Sequence, residues 1–333
     1  MKKLFFSFVA VLIGSMMANA ATINKALLQH NGEVTLFDGD KVQDAVNAAV
    51  DGDIIYLTLG TFPSFNVTKK ITIRGTGTTT VIDGNVTINI PNTPTLTNPV
   101  LETLSVTGNV TVSSAISNLL IRQCKISSDL RLTGAISGGA LEKCQISSIA
   151  FSGTIQDLTI DRCTIITSFS LSSSIQSMTV INSSIWTLSA NSGATNNTTF
   201  VNCDLTFSST SNFSGTIINS IVRHSGNSNK TLNSSVLVNS LIISGNGNSY
   251  TLTIGSSSVT QGCYRVSSTS TGVSTLQSNG YLGTDGTIVG IYGGDTPYDD
   301  NMLIAKVPKV TNSDLDLDLE QKKLNVTLTV SPQ

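Results

Sequence analysis

Arg122, Asp129, Arg131, Glu142, Lys143, Asp157, Asp161 and Arg162 crowd one stretch of a chain in which only 12% of residues are charged. Their spacing matters more than their number. Arg122, Glu142 and Asp161 each stand two residues before a cysteine, at Cys124, Cys144 and Cys163. If equivalent positions stack, Glu142 and Asp161 become neighbours, and two carboxylates so close could divide the work of general acid and nucleophile. Asp157, Arg122 and Arg162 would complete that set of catalytic candidates. The competing reading is a surface ladder of alternating charge, which avoids like-charge repulsion along a stack. It is preferred because the acidic position gives way to Ile181 and Val201 in the copies that follow, so the expectation is no catalytic site.

Asp295, Asp299 and Asp300, beside Asn301, offer hard oxygen ligands of the kind Ca²⁺ takes. They also sit next to Gly294 and Pro297, where Asp and Asn are ordinary turn formers, so a turn is preferred and no metal or other cofactor is expected. The chain has two histidines. His30 and His224 are too far apart for a triad and read as solvated loop residues. No Cys-x-x-Cys occurs and no His lies near the cysteines, which excludes a zinc site of the usual spacing. Gly75-Thr76-Gly77 precedes a strand-like run and opens no helix, so it reads as a turn and not as a phosphate loop. Trp186 and Phe207 could stack on sugar rings from outside, but packing in the core or at a coil edge is the preferred reading of both.

What must position these residues is a repeat. In register the chain runs LLIRQCKIS, ALEKCQIS, LTIDRCTII, MTVINSSIW and TTFVNCDLT, then IINSIV and LVNSLII. Cys124, Cys144, Cys163, Ser183, Cys203, Ser220 and Ser240 hold equivalent places at a period of about twenty residues. Before that place an apolar pair such as Leu158 and Ile160 alternates with polar residues, as a short strand does. Positions 123, 143, 162, 182, 202, 219 and 239 carry Gln, Lys, Arg and then Asn. A turn is expected there, since Asn tolerates the left-handed conformation. Beyond the turn comes the small residue, then Ile126, Ile146, Ile165, Ile185 or Leu205 in a second strand. No single copy can bury its apolar face alone, so the copies must stack as a parallel solenoid with a rise of about 4.8 Å per coil. The column of Cys and Ser reads as small buried packing residues. Disulfides between adjacent coils compete with that reading, but Ser183, Ser220 and Ser240 share the position.

These repeats, with VQDAVNAAVDGDIIYLTLGTF and KKITIRGTGTTTVIDG upstream, resemble the right-handed parallel β-helix of the pectate-lyase-like superfamily. The resemblance implies an all-β solenoid over residues 54–290. A lead-in strand and capping helix would occupy 21–53, with Asp40 as N-cap, Gln43 completing a capping box, and Val42, Ala45, Val46 and Ala49 as the buried stripe. Residues 91–99 read as a Pro-bearing excursion from the stack. Residues 291–333 are expected to form a C-terminal cap with a β-hairpin, one strand around Asp314–Leu319 and the other around Leu324–Val330. GTIVGIYGGDTPYDDN with that hairpin resembles the C-terminal portion of exported β-helix proteins of Bacteroidetes type. Enzymes of the superfamily act on polyuronides through Ca²⁺-binding acidic residues and a basic residue, or through clustered aspartates. No such motif maps onto this chain residue by residue.

Composition narrows the partners. The 333 residues carry a formal net charge of -2 and no basic stripe, so nucleic acid is not expected. Residues 1–20 read as a secretory signal: Lys2 and Lys3, an apolar run, then Ala18-Asn19-Ala20 as cleavage site. After it no apolar run reaches the roughly 20 residues of a spanning helix. The expectation is an exported protein of the periplasm, cell surface or extracellular space. Its expected role is non-catalytic adhesion or glycan contact with a polysaccharide or cell-surface partner. A polyuronide lyase or hydrolase and a structural spacer are the alternatives.

Overall fold

A computed structural model describes residues 24–190, 197–209, 213–233, 235–245 and 250–303, together with the backbone of 309–318 and 323–331. The expected signal segment, residues 1–20, lies outside the described residues. Residues 24–303 form one compact unit.

That unit is a parallel β-helix solenoid. Each coil sends one strand into a 14-stranded sheet and the next into a 12-stranded sheet, and neighbours within each sheet are coils apart in sequence. In the first sheet Ile121, Leu141, Ile160, Val180, Phe200, Ile217 and Leu237 pair in succession. In the second, Ile126, Ile146, Ile165, Ile185, Leu205, Val222 and Ile242 do the same. All of these side chains are buried. Each contributes about 1.5–3 kcal/mol by leaving water, and each is covered only because a copy lies above and below it.

The corner between the sheets explains the polar column of the repeat. Gln123, Lys143, Arg162, Asn182, Asn202, Asn219 and Asn239 all have φ between 43° and 53°. The left-handed turn is therefore present at every position where it was expected. Its amide is satisfied upward, as in Arg162 N–H to the Ile181 carbonyl at 3.0 Å, and the amide two residues on is satisfied downward, as in Ser184 N–H to the Cys163 carbonyl at 2.9 Å. The amide between them has no strand partner, and the small residue of the next coil supplies one. Cys163 N–H donates to Ser183 Oγ at 2.9 Å, Cys203 N–H to Ser220 Oγ at 2.9 Å, and Ser220 N–H to Ser240 Oγ at 3.1 Å. Cys144 N–H donates to Cys163 Sγ at 3.3 Å. The column is thus a line of acceptors as well as a line of small buried side chains. Cys124, Cys144, Cys163, Cys203 and Cys263 are free thiols.

The first coil is closed in two ways. Lys25–His30 and Glu33–Asp38 form an antiparallel hairpin laid against the strand Ile54–Leu57, so the leading edge of the first sheet is already paired. The helix Val42–Ala48 covers the open core with Val42, Ala45 and Val46, joined by Ala49 just past its end, all buried. The capping box, however, does not form. A 3-10 turn, Gly39–Lys41, takes up the residues before the helix, and neither Asp40 nor any other side chain caps it. Gln43 instead reaches the strand Gly60–Val67, accepting from Asn66 N–H at 2.7 Å and donating to its carbonyl at 3.2 Å. The Pro-bearing loop also departs from expectation. It folds onto the stack, with Leu96 and Val100 in the core and Leu96 N–H donating to the Ser117 carbonyl at 2.9 Å.

After the strand Tyr264–Val266 and the helix Val273–Ser278, residues 279–303 run back along the left-handed corner. Thr284 N–H donates to Asn219 Oδ1 at 2.8 Å, Asn182 Nδ2 donates to the Gly293 carbonyl at 2.7 Å, and Gln123 Nε2 donates to the Met302 carbonyl at 3.0 Å. These corner amides are therefore docking points for a strap as well as turn formers. Separately, Lys309–Asp318 and Lys323–Ser331 pair as an antiparallel hairpin, with Leu315 opposite Val326 and Leu317 opposite Leu324. Leu319, expected at the end of its first strand, lies outside the described residues.

Candidate functional site

The last outward position of the first sheet carries the charged ladder. Glu142 pairs with Arg122 on one side and Asp161 on the other, so the two carboxylates do occupy adjacent coils. Arg122 Nε donates to Glu142 Oε2 at 2.7 Å, and its Nη1 lies 3.5 Å from Glu102 Oε1. Arg74 Nε donates to the other Glu102 oxygen at 2.5 Å. The row thus reads Arg74, Glu102, Arg122, Glu142 and Asp161, with charge alternating until its last step. There Arg162, from the turn itself, donates to Asp161 Oδ2 through Nε at 2.9 Å and through Nη2. Burial works against the charge of Arg122, but hydrogen bonds to Glu142 and Glu102 outweigh it and raise its pKa further. Asp161 Oδ1 is buried and has no hydrogen-bond partner among the described residues.

The other members of the sequence cluster lie elsewhere. Asp129 and Arg131 pair with each other on a strand of the second sheet, at 2.9 Å. Asp157 sits in a left-handed turn before the strand Leu158–Asp161 and accepts from Ser177 Oγ at 2.6 Å. It takes no part in the ladder. Arg74 and Glu102 belong to the ladder but were missed by grouping residues along the sequence. Their signal was available, because Glu102 stands two residues before Leu104, and Leu104 occupies the place later held by Cys124.

Asp295, Asp299 and Asp300 lie on the strap. Asp299 Oδ1 accepts from Asn301 N–H at 2.9 Å in a local turn, and Asp300 accepts from Tyr292 O–H at 3.2 Å. Among the described residues no group of three or more His, Cys, Asp or Glu is placed to hold a metal ion. The histidines depart from the loop reading in different ways. His30 Nδ1 lies 2.8 Å from Asp53 Oδ1. His224 is a strand residue, only 4% exposed, opposite Phe207.

The two aromatic candidates part company. Phe207 is fully buried, whereas Trp186 is 57% exposed and corrects the expectation that both would pack. It projects from the strand Ser184–Ala190 of the second sheet, with Nε1 donating to Ser184 Oγ at 3.1 Å. One and two coils away lie Asp204 and Arg223, joined by Arg223 Nε to Asp204 Oδ1 at 3.2 Å and by contacts of Nη2 to both carboxylate oxygens. A shallow cleft of about 380 Å³ is lined by Ser184, Trp186, Asp204, Thr206 and Arg223.

No described helix is long and apolar enough to cross a membrane. No family model, no curated protein and no solved structure matches the chain.

Proposed function

We propose that this β-helix, similar in architecture to the pectate-lyase-like superfamily, is an exported non-catalytic protein that contacts glycans or another cell-surface partner. The observation that carries the reading is the state of the ladder. Glu142 and Asp161, the pair best spaced for acid and nucleophile work, are each engaged by an arginine. A carboxylate whose oxygen is already taken up by a guanidinium is less available to a substrate atom. The outward rows offer mainly uncharged hydroxyl groups, such as Ser147 with Thr167, Ser170 with Ser189, and Thr231 with Thr253. Such rows suit hydrogen bonding to a neutral polar polymer. The secretory reading of residues 1–20 supports the compartment.

A second reading, hydrolysis or lyase action on a polyuronide, draws on the buried and unpartnered Asp161 Oδ1 beside Glu142. A glycan array on the mature protein, run beside uronic-acid release assays, separates the two. Saturable binding without turnover is the expected result. Turnover that disappears in Glu142→Gln or Asp161→Asn would replace this proposal with the enzymatic one, and neither binding nor turnover would leave the spacer role.

A further inference from the structure

The geometry points to a second-sheet subsite, built on Trp186, Asp204 and Arg223, that holds one neutral hexopyranosyl residue of a glycan. This inference rests on the glycan-contact reading and gives it a place. Register fixes the arrangement. Ser184 pairs with Asp204, Ile185 pairs with Leu205, and Thr206 pairs with Arg223. After the paired residues Ile185 and Leu205 the register shifts, so Trp186 and Thr187 together stand against Thr206 before Leu188 meets Phe207; Trp186, Thr206 and Arg223 nonetheless face outward on three successive coils. Indole and guanidinium are therefore two coil steps apart, roughly 9–10 Å at the ordinary interstrand spacing. The floor between them is a single threonine.

Each part of the cleft answers a different part of a sugar. The indole ring is 57% exposed and its N–H is already engaged by Ser184. What it presents is thus an apolar face, which suits the C–H face of a pyranose. Arg223 uses Nε and Nη2 on Asp204, which leaves the Nη1 donors without a partner among the described residues, since a guanidinium carries five N–H groups. The Asp204 oxygens, each with more than one lone pair, can still accept. Side by side, the pair can give a hydrogen bond to one hydroxyl and take one from its neighbour, the pattern a vicinal diol requires. Because acid and base cancel, the site gains nothing from a charged sugar, and a neutral hexose is favoured over a uronate. The cleft, at about 380 Å³, lies at the small end of the roughly 300–1,000 Å³ typical of small-molecule sites.

The chain contains one tryptophan among six tyrosines, so emission excited selectively at the indole reports on this cleft. Cellohexaose and a linear galactohexaose would be titrated into the mature protein, with hexagalacturonate for comparison, by fluorescence and by calorimetry in parallel. A saturable change in tryptophan emission with a neutral oligosaccharide is expected, with weaker or no response to hexagalacturonate. Calorimetric affinity should fall at least tenfold in Trp186→Ala and severalfold in Asp204→Asn, while Trp186→Phe retains most of it. Circular dichroism would confirm that each variant keeps its strands. Saturable heat with unchanged emission and unchanged iodide quenching would overturn this subsite while leaving glycan contact intact. Preference for hexagalacturonate would overturn the neutral assignment. No binding to these probes or to any glycan on the array would remove both the subsite and the reading it rests on.

Discussion

Replacing Ser183 by alanine separates two accounts of the corner column. If the column only fills space, alanine at a fully buried position removes a hydroxyl from the core and is neutral or mildly stabilising. If the column accepts hydrogen bonds, the same change is harmful, and the structure gives the size. Ser183 Oγ makes two strong contacts: it accepts from Cys163 N–H at 2.9 Å and donates to the Ile181 carbonyl at 2.7 Å. The carbonyl keeps a second donor, Arg162 N–H at 3.0 Å, so little is lost there. The Cys163 amide keeps none, and an orphaned buried donor destabilises by about 1–3 kcal/mol. At roughly 2–4 °C per kcal/mol for a large domain, Ser183→Ala should melt several degrees below the parent, followed by far-ultraviolet circular dichroism at matched scan rates. Ser183→Cys, which keeps donor and acceptor, should stay close to it. The complementary pair is Cys163→Ser against Cys163→Ala. Serine should be the milder change, because it still accepts from Cys144 N–H, while a purely apolar column predicts the opposite order. If Ser183→Ala melts at or above the parent and Cys163→Ala above Cys163→Ser, the hydrogen-bonded column is wrong.

Lys143 holds a left-handed backbone at φ 53°, where asparagine is better tolerated. Lys143→Asn should recover part of the roughly 1–2 kcal/mol that left-handed backbone costs an ordinary residue, read as a higher melting temperature, and no change would show the turn to be unstrained. Neither ring nitrogen of His224 has a hydrogen-bond partner among the described residues, so His224→Leu should stabilise, by an amount approaching the roughly 1–3 kcal/mol of an unsatisfied buried polar group. A fall in melting temperature would mean that the ring is satisfied. Burial pushes the Cys203 thiol from 9.0 up to about 12, and the Cys124 and Cys163 thiols also rise well above the usual value. A thiol-specific chromogenic reagent at pH 8 should therefore label Cys263 alone until denaturant is added. The folded state keeps these protons after the unfolded chain has lost them, so stability is undiminished below about pH 9 and falls as pH climbs toward 12. A flat stability profile over that window would contradict the burial of the column.

The coil was legible because one physical requirement recurs at one position. Every turn needs positive φ, and the row Gln123, Lys143, Arg162, Asn182, Asn202, Asn219 and Asn239 shows it through its drift toward asparagine. Two further demands on the same corner were not legible. The acceptor role of the Cys and Ser column emerges only when the amides above and below have been accounted for, since Cys alone reads as a small apolar residue. The strap contacts of Asn182 and Asn219 join residues 111 and 65 positions apart, a separation that no local pattern encodes. The ladder was half legible for a related reason. Arg122, Glu142 and Asp161 share a phase with their cysteines, but Arg74 and Glu102 are 28 residues apart, because the Pro-bearing loop stretches that coil and breaks the count.

Trp186 and Phe207 show where two sequence rules conflict. Burial statistics favour packing any large aromatic in a chain with so few, and that rule sends both side chains inward. Strand alternation separates them: Ile185 points in, so Trp186 must point out, while Leu205 points in and Phe207, two residues on, returns to the core. Alternation holds here because both residues lie close to the well-registered pairing of Ile185 with Leu205. The register of these strands shifts only after that pair. Period-two phase thus holds as far as Trp186, is interrupted by the extra residue Thr187, and resumes at Leu188 opposite Phe207. The indole sits at the first residue of the shifted segment and is turned outward by the backbone that carries it, not by a failure of packing. That placement on a regular wall, beside an ion pair of the next two coils, is what makes the exposed ring a candidate contact surface and distinguishes it from the exposed valines at Val236 and Val259.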